Sequence, residues 1–421
     1  MDKKVKLAII GLGQRGGVQV IEGVTYVGMS AAYASMDDVQ IVAVCDEYQD
    51  RVDAVVNNLK ETKNITVKGT TNYMDILNDP DVEAVVILTS WESHVEIAIA
   101  AMKAGKAVAM EVGCAYSIEE CWDLLKTQQE TGAYFMFLEN CCYGRTELFL
   151  LNLARHGLLG EIVHCSGGYH HDLRPEISMG VQKRHYRLRN YMNRNCDNYP
   201  THELGPIAKI LNINNGNRMV SLASFASKSA GLNEYNKHKR GVHNPDPTLV
   251  NTKFAQGDFI TTVINCAHGE TIVITLDTCL PRFGSTRSIQ VRGTKGGYID
   301  DLKHLYIEDD NSIPDNSGVP IENHPEKYYE DYKHPLWVEY DDNKLNAGHG
   351  GMDWHVMRAF IESYKNGYEP PVDIYDAVTW MSISALSEAS IAKGGAVVEI
   401  PDFTCGKWIK PTPKKEWKYS L

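Results

Sequence analysis

The stretch Val5-Lys6-Leu7-Ala8-Ile9-Ile10-Gly11-Leu12-Gly13-Gln14-Arg15-Gly16 decides the fold. An apolar run of strand length ends in G-x-G-x-x-G, the pattern of a turn where backbone must approach a pyrophosphate. Gly11 makes the tight turn, Gly13 leaves room for the phosphate, and Gly16 lets a helix pack on the strand. The N–H groups at the start of that helix are expected to face the anion, with Gln14 and Arg15 beside it. The context of strand, turn and helix predicts a dinucleotide site.

Beyond the turn, apolar runs continue to alternate with amphipathic stretches. Strands are expected at 39–45, 84–88, 107–110 and 134–138, and helices at 93–104 and 117–132, the second opened by a Ser117/Glu120 capping box. That alternation predicts an α/β class and a Rossmann, doubly wound parallel sheet over residues 1–145. Asp46 follows the second strand directly, where an acid accepts hydrogen bonds from a ribose diol, which favours NAD over NADP. It lies 30 residues beyond Gly16, against about 20 in the usual unit. Gly23 to Ser35 is therefore read as an insertion, a longer helix and loop. Thr89-Ser90-Trp91-Glu92-Ser93-His94 falls at the carboxyl end of a strand, where open α/β sheets bind ligands.

After residue 145 the texture changes. A connecting helix at 146–157 leads to strands from 161 and at 218–226, 258–266, 270–278 and 287–292, with a turn at Gly293–Gly297. These predict an α+β domain over 146–421 with a large open, mainly antiparallel sheet. Late helices at 352–366 and 374–393 are expected to pack back on the first domain. The acidic, Pro- and Asn-rich stretch 305–347 reads as a surface excursion.

A chain of 421 residues exceeds one ordinary core and suggests two domains. Its 43% hydrophobic and 23% charged residues are those of a globular protein, and its formal net charge of −12 argues against nucleic acid or anionic membrane as partner. No apolar run reaches spanning length. Ten cysteines include no C-x-x-C pair, so neither a zinc site nor a disulfide framework is legible and free thiols are expected. Met1-Asp2-Lys3-Lys4 runs straight into the first strand, which suits a cytoplasmic protein, although a trimmed leader is compatible with it.

Two further clusters carry chemistry: Gly168-Tyr169-His170-His171-Asp172-Leu173-Arg174 and Asn198-Tyr199-Pro200-Thr201-His202-Glu203-Leu204-Gly205-Pro206. Histidine and tyrosine together offer proton transfer at two basicities. Adjacent residues on a strand point apart, so His170-His171-Asp172 does not have metal spacing, and no metal is expected.

The layout resembles the Gfo/Idh/MocA family, an NAD(P)-binding domain followed by an open-sheet domain that holds a sugar-like substrate. Most members carry Glu-Lys-Pro after a late strand; this chain has Glu111-Val112-Gly113, without the lysine. It is similar in more detail to the NAD-dependent glycosidases of glycoside hydrolase family 109, known for α-N-acetylgalactosaminidase activity. The motifs that carry this are Glu111-Val112, Leu138-Glu139-Asn140, Cys142-Tyr143-Gly144-Arg145, Tyr169-x-His171-Asp172-Leu173-Arg174, Tyr199-Pro200-Thr201-His202 and Gly348-His349-Gly350-Gly351-Met352-Asp353.

The resemblance implies that Tyr199 and His202 lie beside the nicotinamide and the reacting ring carbons. It implies that Tyr169, His171 and Glu139 complete the pocket. Thr89, Trp91, His94, Glu111 and Asn140 would join Gly11, Gly13, Gln14, Arg15, Gly16 and Asp46 around NAD. It implies a sugar C3 oxidation, elimination of the glycosidic oxygen, water addition and re-reduction, on an amino-sugar glycoside or related carbohydrate, in a dimer or tetramer. Phe283-Gly284-Ser285 stands where a tyrosine is expected, and the polar stretch before Tyr199 is short, so sugar, anomer and aglycone stay open. So do two other readings: a sugar or inositol dehydrogenase with net hydride transfer, and a non-catalytic NAD-binding protein.

Overall fold

Strand β1 (Val5–Ile10) is buried along almost its whole length, as a central parallel strand covered by helices on both faces must be. The computed structural model describes residues 4–21, 24–238, 245–282, 284–308, 325–343 and 348–421. After β1 come the short strands β2 (Val18–Ile21) and β3 (Val24–Val27), helix α1 (Met29–Tyr33), β4 (Val39–Cys45) and α2 (Gln49–Lys63). Then follow β5 (Lys68–Thr70), α3 (Tyr73–Leu77), β6 (Ala84–Ile87), α4 (Trp91–Lys103), β7 (Ala107–Met110), α5 (Ile118–Thr131) and β8 (Phe135–Phe137). Six strands pair in parallel in the order β5-β4-β1-β6-β7-β8. The order reverses between β1 and β6, which opens a crevice at their carboxyl ends. Ser117 caps α5 by accepting from the Glu120 N–H, but the Glu120 carboxylate accepts from the Tyr116 N–H, so the box is displaced by one residue.

The expected helix after the glycine turn is replaced by something else. Residues 13–17 make one helical turn, closed by Gly17 N–H to Gly13 O at 2.8 Å; the chain then leaves as the β2–β3 hairpin. It returns at Gly28, whose N–H bonds Gly17 O at 2.8 Å, while Met29 N–H bonds Arg15 O at 2.9 Å. Helix α1 thus resumes the interrupted turn; of residues 23–35, read as helix and loop, α1 is the helix, while β3 is one strand of the hairpin. Gly28 makes the closure possible: a Cβ there would stand 2.3 Å from Arg15 O.

The second half begins with α6 (Arg145–Arg155), β9 (Ile162–His170), α7 (Arg174–Ser178), α8 (Arg187–Asn193), α9 (Thr201–Ile210), β10 (Met219–Ala226) and α10 (Gly231–Asn236). It continues with β11 (Phe259–Cys266), β12 (Thr271–Asp277), β13 (Gln290–Gly293), β14 (Gly296–Ile299) and β15 (His304–Ile307). The last elements are α11 (Pro325–Tyr332), α12 (Pro335–Asp342), α13 (Met352–Asn366), α14 (Ile374–Ala392) and β16 (Val398–Glu399). Eight strands form an open sheet in the order β15-β14-β13-β9-β12-β11-β10-β16, antiparallel except where β9 meets β12. Strict alternation along β11 and β12 buries Ile260, Ile264, Ile272 and Ile274 on the inner face.

Three contacts link the segment 358–381 to the first half of the chain. The Phe137 N–H bonds Val372 O at 3.0 Å, the Ala115 N–H bonds Met381 O, and Arg358 on α13 pairs with Asp38 at 2.6 Å. The region 305–347 is more than an excursion. It contains α11 and α12, and α12 buries Leu336, Trp337 and Tyr340 against the core because they recur at helical spacing. Residues 309–324 and 344–347 lie outside the described residues, as does Phe283.

Candidate active site

The cofactor groove lies where β1 and β6 diverge. Gly11, at φ +101°, brings the turn so near β6 that a Cβ would stand 2.4 Å from the Leu88 carbonyl carbon, and a Cβ on Gly16 would strike Gly11 O at 2.1 Å. Gly13 differs. A Cβ there would meet only the Arg51 guanidinium at 3.6 Å, so its bare face looks into open space, the cradle a pyrophosphate requires. Gln14 is exposed on the turn. Asp46 ends β4 with its carboxylate turned to the turn: Oδ2 accepts from the Leu12 N–H at 2.7 Å and Oδ1 from the Tyr48 N–H at 3.0 Å. Oδ1 also faces the Arg51 guanidinium at 3.5 Å, and Oδ2 keeps a second lone pair for a ribose hydroxyl. These residues fit a dinucleotide.

On the other wall, Ser93 donates to the Thr89 hydroxyl at 2.9 Å and His94 Nε2 bonds Thr89 O at 2.8 Å. Burial drives His94 down to about 4, so its ring is neutral at pH 7. Trp91 and His94 press on Gly113, where a Cβ would stand 2.8 Å from the indole and 3.0 Å from His94 Nδ1.

The structure brings the expected catalytic residues together. Tyr169 comes from the end of β9, and Tyr199 and His202 from the segment that starts α9. Their ring centroids lie 4.5 Å (Tyr169–Tyr199), 4.7 Å (Tyr199–His202) and 5.6 Å (Tyr169–His202) apart; Trp91 stacks on Tyr199 at 5.3 Å and His171 on Tyr169 at 5.8 Å. His202 Nδ1 is 2.8 Å from Glu139 Oε1, which also accepts from the Cys141 N–H at 3.0 Å. Burial pushes the fully buried Glu139 up, but the His202 ring against it and the Cys141 N–H outweigh burial and hold the carboxyl below its usual range. An ionised Glu139 keeps the proton on Nδ1 and leaves Nε2 as the accepting nitrogen. Donor atoms of Glu139, Cys141 and His202 lie within 4.8 Å of one another, but Nδ1 and Oε1 already satisfy each other. Burial raises Tyr169 to about 12, opposed by Arg187, and raises Tyr199 still further above the usual phenol. Burial likewise lowers His171.

Two carboxyls stand behind this group. Glu203, 1% exposed, is the third residue of α9, where a helix terminus favours an anion by about 0.3–1 kcal/mol, at most about 2. An unpaired carboxylate in a dry interior costs several kcal/mol. Burial therefore wins, and with Asp197 beside it Glu203 is pushed well above the carboxylate range.

Arg15 and Asn140, expected at the cofactor, are engaged by a residue the sequence reading left out of the site. Arg15 donates to Asp353 at 2.7 and 2.8 Å and to Glu111 at 3.2 Å, and the Asn140 amide donates to Asp353 at 2.8 Å. His349 Nδ1 lies 2.8 Å from the same carboxylate. Three successive left-handed residues, His349, Gly350 and Gly351 (φ 51°, 64° and 105°), turn the chain so that Asp353 faces Arg15, which explains the glycines of this motif. Burial raises Glu111 despite Arg15. Val112 is buried in the core.

Arg187 was also missed. It pairs with Glu176 at 2.5 Å and its guanidinium lies 5.2 Å over Trp91 and 5.3 Å over Tyr199. The only signal was the Arg- and Tyr-rich texture before Asn198. Its neighbours strap the groove: Arg184 pairs with Asp50 at 2.7 Å and stacks on Tyr48 at 4.1 Å, the Arg51 guanidinium donates to Lys183 O at 3.2 Å, and Arg189 pairs with Glu92 at 2.5 Å. The chain thus crosses from the Tyr48–Arg51 side of the crevice to the Trp91 wall.

Comparison with known proteins fits this geometry. Residues 5–138 match the oxidoreductase family with NAD-binding Rossmann fold, and residues 143–410 match the glycosyl hydrolase 109 C-terminal domain. A glycosyl hydrolase family 109 protein of Stenotrophomonas maltophilia (strain K279a) is 38% identical over 434 positions, covering 98% of this chain and 91% of its own. An alpha-N-acetylgalactosaminidase of Tannerella forsythia is 38% identical over 398 positions, 89% of this chain and 83% of its own. Levoglucosan dehydrogenase, in complex with NADH and levoglucosan, superposes with a TM-score of 0.68 at 15% identity over 95% of this chain and 100% of that one; at such identity the likeness is one of fold.

Proposed function

This chain belongs to glycosyl hydrolase family 109, and on that premise we propose that it hydrolyses α-N-acetylgalactosaminides by transient oxidation of the sugar. It is an enzyme with an NAD-binding Rossmann domain and a carbohydrate substrate. The observation that carries the reading is the His202–Glu139 pair set against Tyr199 and Tyr169 at the Trp91 end of the groove.

The glycine turn and Asp46 would hold NAD, which when bound would supply hydride acceptance at the sugar C3 carbon and the return of that hydride, so that none is consumed. His202 Nε2 or the Tyr199 hydroxyl takes the C3 hydroxyl proton. The resulting ketone acidifies the C2 hydrogen, which Tyr169 or His171 removes. The electron pair left at C2 expels the glycosidic oxygen from C1, which leaves with a proton from the same side chains. Water then adds at C1, C2 regains its proton, and the C3 oxygen takes back the first one. This route stands apart from the usual carboxylate pair. Thr89, Trp91, His94, Glu111, Asn140, Gln14 and Arg15 shape the groove around the cofactor.

A nitrophenyl α-N-acetylgalactosaminide should release nitrophenol with no net NADH, and in D2O the sugar should gain deuterium at C2. His202→Ala and Tyr199→Phe should each cut turnover at least about hundredfold. Unchanged turnover in both would remove the site; steady NADH formation from free sugar would replace hydrolysis with dehydrogenation.

The outer face of the eight-stranded sheet exposes Phe225 (57%) and Val263 (36%), and we assign it to contact between two copies of this chain. Phe225→Glu with Val263→Glu should halve the mass seen by sedimentation. The thiols described are all unpaired, which supports a reducing, cytoplasmic setting. Among the described residues, no helix is long and apolar enough to cross a membrane.

A further inference from the structure

Asp197 and Glu203 bracket Tyr199 and His202, and the mechanism above uses neither. Both are buried, at 0% and 1% exposure, and none of their four carboxyl oxygens makes a well-formed hydrogen bond. The segment that carries them is rigid. The Asp197 N–H donates to the Ser387 hydroxyl at 2.9 Å, and Gln256 is bonded to Cys196 O at 2.9 Å and to the Asn198 amide at 3.1 Å. Glu203 leaves α9 against β9, where a Cβ on Gly167 would stand 3.0 Å from the Glu203 Cβ. Glu139 packs on the next part of the same helix, since a Cβ on Gly205 would stand 2.9 Å from the Glu139 Cγ.

Among the described residues, no cation makes an ion pair with either acid. Arg287 is the charge of opposite sign that faces Glu203, and its guanidinium is taken by Glu147 at 2.6 Å. The other groups facing the two acids are Glu139 from the loop after β8, Tyr169 from β9, Cys196 from their own segment, and the Thr262 hydroxyl from β11. One of these, Glu139, must be an anion to orient His202. A second anion next to it in a dry interior would bind the His202 proton too tightly for return to the sugar.

We propose that Glu203, backed by Asp197, is a positioning residue for the His202–Glu139 base, acting as an un-ionised carboxylic acid behind the catalytic helix. This rests on the function proposed above. Burial supports it, pushing Asp197 up to about 7 and Glu203 well beyond the usual range. Two like groups side by side without a cation share protons rather than ionise together. As pH rises and the pair ionises, the acceptor nitrogen of His202 loses its balance, and turnover falls on the alkaline side.

The test uses NAD-loaded, full-length enzyme. In the infrared spectrum at pH 7, a carboxylic-acid carbonyl band should be present and should lose the Glu203 share of its intensity in Glu203→Gln, leaving the share of Asp197. In the same variant the alkaline limb of kcat/KM should move up by about one pH unit or more, with KM unchanged and kcat at pH 7 reduced by no more than about tenfold. Glu203→Leu should lose about hundredfold or more in kcat while Glu203→Gln recovers most of it. If the infrared band keeps its full intensity in Glu203→Gln, or if the pH profile of the variant superimposes on that of the parent enzyme, the proposal is overturned. Where Glu203→Leu fails to fold, the amide variant decides alone. A parent enzyme that releases no aglycone would end the glycosidase reading and leave the infrared result standing on its own.

Discussion

The guanidinium of Arg15 and the carboxylate of Asp353 meet in a two-pronged pair at 2.7 and 2.8 Å, joining the glycine turn to the start of α13 across 338 residues. Both are largely buried, and Asn140 and His349 converge on the same carboxylate. The turn that receives the cofactor is thereby held by the second half of the chain.

Asp353→Asn removes the charge and should lower stability by about 2–4 kcal/mol, because Arg15 is left in a poorly hydrated place with only Glu111. Burial pushes Asp353 up, but His349 and Arg15 outweigh it and hold it far below its usual range. A depressed carboxyl contributes stability that is complete above its unfolded value, about 3.9, and lost as pH falls toward the folded value. The parent should therefore lose stability steeply below about pH 4, and the variant less steeply. Urea unfolding at several acidic pH values checks this; parallel curves would refute it.

Glu139→Gln keeps the size of the side chain but no longer holds the Nδ1 proton by charge. A loss of about 10²–10⁴ in kcat is expected, with KM little changed. Because Glu139 is an anion above its depressed value, the parent should keep activity down to lower pH than a free carboxylate would permit. Steady-state rates from acid to neutral pH measure both effects.

Gly113→Ala places a methyl group 2.8 Å from the Trp91 indole and 3.0 Å from His94 Nδ1. Neither ring can retreat, since Trp91 is held between Tyr186 and Tyr199 and His94 is tied to Thr89 O. A cost of about 1–3 kcal/mol is expected, with displacement of Trp91 and loss of turnover beyond what the stability change explains. Thermal unfolding alongside kcat separates the two; a silent variant would mean that this wall is soft.

Arg184→Ala with Arg189→Ala opens the strap over the groove. Each pair is exposed and weak alone, but the two together hold the strap down, so NAD affinity should fall by roughly tenfold. Enzyme passed through gel filtration should then lose activity that added NAD restores, whereas the parent should not. Equal retention by both proteins would show that the strap does not hold the cofactor.

Much was determined by local chemistry alone. The buried run Val5–Ile10, the glycines after it and the period-two alternation of β11 and β12 are legible because strand burial and tight turns act over a few residues. Tyr199-Pro200-Thr201-His202 is likewise a local string, and its place at the pocket followed from the resemblance it carries.

The hairpin within the first helix was not legible. Its closure depends on Gly28 meeting Gly17 and Arg15 across ten intervening residues, which no local pattern reports. Residues 305–347 read as an acidic, Pro- and Asn-rich surface excursion, yet Leu336, Trp337 and Tyr340 recur on one helix face and are buried by distant partners. Arg15 could be assigned to the glycine turn but not to Asp353, and Arg187 could be seen only as part of a polar stretch. The charges of Glu139 and Glu203 were equally out of reach, because an acid's protonation depends on which groups surround it once water is gone. Sequence by itself set the strands, the turn and the chemical types available; only the tertiary structure decided which charges are paired, which are buried alone, and so which side chains can move a proton.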